Sequence, residues 1–156
     1  MKHLKLKIVL SVVVILIGLV VIRLISFDNK AEADGSIFLS IENEHKEVVF
    51  SGELEFYTGD SFFDILNRHF DLTCGTATYS PDEDCGYDFQ GFEYQGKVIL
   101  GIKGDDFDLM TDWKNTFLSF YHHNNQEKVP ATSGPSNIPF KDQDSFIICL
   151  EEAWGS

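Results

Sequence analysis

Trp113, Tyr121, His122 and His123 fall within one short run, "WKNTFLSFYHHNN", residues 113 to 125. Imidazoles can ligate a transition metal or carry protons near neutral pH. Indole and phenol rings offer a ligand large contact area at low entropic cost. In a strand, successive side chains alternate faces. Trp113, Asn115, Phe117, Ser119 and Tyr121 then share one side, and Lys114, Thr116, Leu118, Phe120 and His122 the other. Adjacent histidines point apart and rarely chelate one ion, so no metal is assigned. Phe117 to Tyr121 is apolar on both faces and reads as core strand. The candidate ligand contacts lie at its ends: Trp113, and Tyr121 with the His122-His123 turn.

Carboxylates are the other abundant chemistry. "GDDFDLMTD" supplies Asp105, Asp106, Asp108 and Asp112, and "PDED" supplies three more acids. Neither run follows the order of an EF-hand loop, so both read as exposed acidic loops. Cys74 and Cys85 flank "GTATYSPDED", a polar loop that a disulfide could close. Cys149 sits inside "SFIICLEE" and reads as a buried free thiol, a poor nucleophile. The spacing matches neither a zinc ribbon nor C-x-x-C. There is no G-x-S-x-G elbow, H-E-x-x-H helix or phosphate loop. The sequence therefore assigns no catalytic residue and no cofactor, and reads as a non-enzyme.

The elements that position these residues begin with Lys2, Lys5 and Lys7 before an apolar run from Ile8 to Phe27, broken by Arg23. Its 20 residues match a bilayer-spanning helix. A basic inner flank predicts a cytoplasmic N-terminus and a single-pass membrane protein with its C-terminal domain extracytoplasmic. Ala31-Glu32-Ala33 offers an alternative, cleavage near Ala33 and secretion. Residues 1–27 are thus read as membrane anchor or signal segment, 28–35 as linker, and 36–156 as one extracytoplasmic domain. Residues 1–27 hold four of the 12 Lys and Arg and none of the 25 Asp and Glu, which leaves the remainder at −17. Such a charge repels phosphate backbones and excludes nucleic acid as a partner.

Within the domain, "SIFLSI" (36–41), "EVVF" (47–50) and "ELEFY" (53–57) carry strand patterns. Ser61 and Asp64 form an S-x-x-D capping arrangement before Phe62, Ile65, Leu66 and His69, predicting a helix from about Ser61 to Phe70. Gln95-Gly96 reads as a hairpin turn between "FEY" and "KVILGI". "WKNTFLSFY" and "SFIICLEE" complete the strands. One helix among six or seven strands predicts an α+β fold.

"YTGDSFFDIL" (57–66), with Gly59, Ser61, Asp64 and Leu66, resembles the "x-x-G-x-T-x-x-D-x-L" entry of the transcobalamin-like C-terminal domain family. "GIKG" (101–104), "FLSFYHHNN" and the closing "SGPSNIPFKDQDSFIICLEE" are similar to later motifs of that family, in order, across residues 36 to 153. His122-His123 depart from its Asn-Gly, and Gln143 from the Gly of its Asp-Gly-Asp turn. The resemblance implies a β-grasp-like sheet with one packed helix, which with the apolar segment gives an expected N-terminal transmembrane helix followed by that sheet. It also implies a binding module on the cell surface, with a corrinoid or related tetrapyrrole as the suggested ligand. The alternative is an envelope structural or protein-interaction domain that docks to a transporter or surface protein. A concave aromatic pocket would favour the first reading; a flat apolar patch or bare sheet edge would favour the second.

Overall fold

A computed structural model describes residues 11–17, 29–78, 80–90, 95–112, 114–124 and 127–152. Residues 11–17 are helical and are called α1. Among the described residues no helix is long and apolar enough to cross a membrane. The expected N-terminal transmembrane helix is corrected accordingly, and the single-pass, membrane-anchored location loses its structural support. The rest of the Ile8 to Phe27 run, Arg23 included, lies outside the described residues.

The chain from Ala31 onward is tied into the folded unit. Ala31 is buried, donates its N–H to Asp60 and accepts from Gly59. Strand β1 (Gly35–Glu42) then pairs antiparallel with β2 (Val48–Phe56). The two strand signals expected over 47–57 are one strand, because Gly52 between them interrupts the pattern but not the ladder: it pairs with Leu39. Gly59, at φ +93°, supplies the left-handed residue of the turn that Asp60 closes on Tyr57.

Helix α2 (Phe62–His69) follows the expectation closely. Ser61 caps it: its Oγ accepts from the N–H of Asp64 at 3.2 Å, and Asp64 Oδ2 accepts from the N–H of Ser61 at 2.8 Å. Phe62, Phe63, Ile65 and Leu66 are buried on one face. Arg68 and His69 occupy the last turn, where positive charge suits the helix dipole.

The remaining strands are β3 (Asp71–Gly75), β4 (Pro81–Asp82), β5 (Phe89–Gln90), β6 (Gln95–Gly96), β7 (Ile99–Lys103), β8 (Asp108–Met110), β9 (Thr116–Asn124), β10 (Glu127–Pro130) and β11 (Ser145–Glu152). They do not complete one sheet. A five-stranded sheet has the order β10-β9-β11-β1-β2, a four-stranded sheet β4-β3-β7-β8, and β5-β6 stand as a pair. This corrects the expected β-grasp-like sheet with one packed helix. Gln95-Gly96 is likewise not a hairpin turn: Gly96 has φ +98°, yet both residues pair with β5, and β7 runs between β3 and β8.

In the five-stranded sheet β1 and β11 lie parallel at the centre. Their inward residues, Ile37, Leu39, Ile41, Phe146 and Ile148, are almost fully buried. They meet α2 and the second sheet in one cluster around Phe62, whose ring lies 4.7 Å from that of Phe146. Each such aromatic burial is worth about 1.5–3 kcal/mol. Cys74 and Cys85 form the expected disulfide, with Cα atoms 4.9 Å apart.

Candidate functional site

Among the described candidates, Tyr121, His122 and His123 do not share one face. Tyr121 faces the outer side of the five-stranded sheet, where its hydroxyl donates to Glu151 Oε2 at 2.8 Å. Burial and that carboxylate push the phenol up to about 12. His122 turns to the opposite face and lies 4.6 Å, ring to ring, from Phe146. His123 is exposed beside Lys128 of β10. Both histidines belong to β9 and not to a turn, so strand alternation separates them. Trp113 lies outside the described residues. Among the described residues no group of three or more His, Cys, Asp or Glu is placed to hold a metal ion.

The acidic run is used in building loops. Asp112 Oδ1 accepts from the N–H groups of Lys114, Asn115 and Thr116, at 3.0, 2.7 and 2.9 Å. Those bonds hold its carboxyl far below the usual range. Asp105 and Asp106 are exposed in a turn that Gly104 and Phe107 close, while Asp108 starts β8. Asp82 is spent in the same way on the N–H groups of Asp84 and Gly86.

Cys149 is buried and outside the disulfide, as expected. Its Sγ donates to Glu42 Oε2 at 3.3 Å, and Lys128 Nζ sits 3.8 Å away. Burial, then the Glu42 carboxylate, pushes the thiol up to about 12. A thiol so held is protonated at neutral pH and does not act as a nucleophile.

A more concave surface lies at the other edge of the sheet. A cleft of about 630 Å³ is walled by Val49 and Phe50 of β2, the last turn of α2 through Phe70 and Asp71, and the 103–107 turn. Three rings are part of its lining. Phe50 and Phe70 meet edge to face at 4.9 Å, and Phe107 stands 6.3 and 5.9 Å from them. This size is within the roughly 300–1,000 Å³ of ordinary ligand sites. On the rim, Arg68 holds Asp60 with both oxygens at 2.9 and 2.7 Å and lies 4.8 Å from the Tyr57 ring. Sequence reading passed over this cleft. The available signal was Phe107, an aromatic among acids in a polar turn, which must find cover somewhere.

Backbone direction adds a second feature. Phe38 donates to Asp144, and Ser36 accepts from Gln143, each at 2.8 Å, so these residues direct their backbone toward β11. By alternation Ile37 and Leu39 direct theirs toward β2, opposite Leu54 and Gly52. The intervening Ser51 and Glu53 therefore turn N–H and C=O to the outer edge, and both are exposed. Further along, the Glu55 carbonyl meets Arg68 Nη1 at 3.4 Å and His69 Nε2 at 3.3 Å. The opposite edge is blunted. Ala131 donates to Phe120, so Lys128 and Pro130 of β10 face outward, and Pro130 has no N–H to give.

No family model matches the chain, and no curated protein matches it. Among solved structures it is similar to a candidate metal binding protein from Ruminococcus gnavus ATCC 29149, at 18% identity and a TM-score of 0.43, over 77% of this chain and 99% of that one.

Proposed function

We propose that this chain is a non-catalytic protein-interaction domain that works outside the cytoplasm, and that partners reach it through the outer edge of β2. The observation that carries the reading is the pair Ser51 and Glu53, whose backbone groups face outward on the strand that also lines, through Val49 and Phe50, a mixed polar and aromatic cleft. Unpaired strand edges recruit extended chains from other proteins. The Cys74–Cys85 bridge supports an oxidising compartment. A photo-crosslinking residue at position 51, in cells that make the protein, should trap a defined protein partner. Equal trapping from position 129 on β10, or none from 51, overturns the reading.

The three rings in the lining of the cleft favour a second reading, a small apolar ligand. The family resemblance makes a corrinoid or related tetrapyrrole its first class. Saturable binding of cobalamin or haem that disappears in Phe107→Ala, with the fold retained, would establish it over the first.

A further inference from the structure

Resting on the edge-strand reading, we infer that the β2 edge selects an extended cationic peptide in which basic and large apolar residues alternate. The added strand would pair with Ser51 and Glu53, whose outward groups repeat every about 7 Å along the strand. Its side chains must then alternate between the two faces of the sheet. On the core side they meet Phe50, Phe70 and Phe107, rings suited to an apolar or aromatic anchor. On the outer side they pass over Glu53 and Glu55. Acids also rim the cleft at Asp71, Asp105 and Asp106. Arg68 is already held by Asp60, so Lys103 is the remaining Lys or Arg there. A second copy of this chain is a poor occupant. Each copy carries −13, and a β2–β2 pair would set Glu53 and Glu55 against their counterparts.

The test titrates the full-length protein with three synthetic nonapeptides: alternating Lys and Leu, alternating Glu and Leu, and the Lys–Leu peptide N-methylated at every second residue. Hydrogen exchange at the Ser51 and Glu53 amides reports the place of binding. The Lys–Leu peptide should bind, slow exchange at both amides, and weaken as salt rises. The N-methylated peptide keeps the charge and loses the strand donors, so it should bind at least tenfold more weakly. Ser51→Pro removes an outward donor while leaving the ladder to β1 intact, and should have the same effect. Glu53→Lys gives a second variant should Ser51→Pro fail to fold, and should weaken the Lys–Leu peptide alone. Equal binding of the Glu–Leu peptide, with both amides slowed, overturns the charge selection and leaves the edge reading standing. Binding without protection at Ser51 and Glu53, or undiminished binding of the N-methylated peptide, overturns both.

Discussion

The Lys128 amine on edge strand β10 lies 2.8 Å from Glu42 Oε2 on β1, across the two strands between them, with the Cys149 thiol under the bridge. Burial alone would raise the Glu42 carboxyl, but the bonds from Lys128 and Cys149 outweigh it and hold the group below its ordinary 4.5. Burial opposes the Lys128 charge, and Glu42 outweighs that, leaving the amine above its ordinary 10.5. A depressed carboxyl stabilises the fold above its unfolded pKa, and that contribution is lost as pH falls through the folded value. A raised amine stabilises below its unfolded pKa and loses its contribution as pH rises. The pair should therefore support the fold between about pH 4.5 and 10.5. Lys128→Met should cost under about 1 kcal/mol near neutrality, since the amine is partly exposed. It should also flatten the acid limb. Urea unfolding across pH reads both effects, and an unchanged acid limb would show that Glu42 does not contribute.

Cys149 sets a steeper alkaline limit. Its thiol is raised from an ordinary 9.0 to about 12, chiefly by burial. Stability from a raised group is whole below the unfolded pKa and falls as pH climbs toward the folded one. The wild type should lose stability from about pH 9 upward, whereas Cys149→Ala should show a shallower alkaline slope. At pH 8 iodoacetamide should leave Cys149 unmodified until the protein is unfolded.

The Cys74–Cys85 loop, with a sequence separation of 11, should contribute roughly 3 kcal/mol by restricting the unfolded chain. Intact mass should rise by two hydrogens on reduction. The double variant Cys74→Ala, Cys85→Ala should unfold at correspondingly lower urea. A midpoint unchanged by reductant would mean that the neighbouring β3–β7 ladder alone fixes the loop.

Gln143 holds φ +67°, a left-handed position that glycine tolerates better. It turns the chain into β11 and donates from Nε2 to Ser36 Oγ at 3.0 Å. Gln143→Gly removes the backbone strain and also that exposed side-chain bond. Relief of about 1–2 kcal/mol of strain is offset by glycine's entropic cost of roughly 0.5–1 and by the lost exposed bond of about 0.5, so a change from neutral to a gain of about 0.5 kcal/mol is expected. A loss in the same unfolding assay would assign the stabilisation to the side-chain bond.

What was legible in the sequence was local. Ser61 and Asp64 lie three residues apart and satisfy each other, so the cap of α2 could be read without knowing its neighbours. Cys74 and Cys85 flank a short loop, and "SFIICLEE" carries its burial in composition. The sheet partition was not legible. β7 joins β3 and not the first sheet through contacts that no adjacent residue announces, and Gly96, with its positive φ, imitated a hairpin turn. The cleft was not legible for a similar reason. The 113–125 run concentrates rings in sequence, whereas Phe50, Phe70 and Phe107 are gathered only by folding. Hydropathy over Ile8 to Phe27 spoke for a bilayer span, but among the described residues no helix is long and apolar enough to make one.

Gly104 offers a way to move the cleft lining without deleting a ring. A Cβ there would collide with Cε1 of Phe107, so the ring must shift. Phe107 is only partly buried and can swing toward solvent at modest cost. Gly104→Ala should therefore lower stability by about 1 kcal/mol or less, whereas Phe107→Ala loses ring contacts and should approach the lower end of the roughly 3–5 kcal/mol seen for buried aromatics. The Phe50–Phe70 contact at 4.9 Å survives in both. If the lining anchors an apolar side chain of a bound peptide, both variants should weaken that peptide several-fold despite their unequal stabilities. Binding that tracks stability instead, lost in Phe107→Ala and intact in Gly104→Ala, would mean that Phe107 supports the edge of β2 without touching the partner.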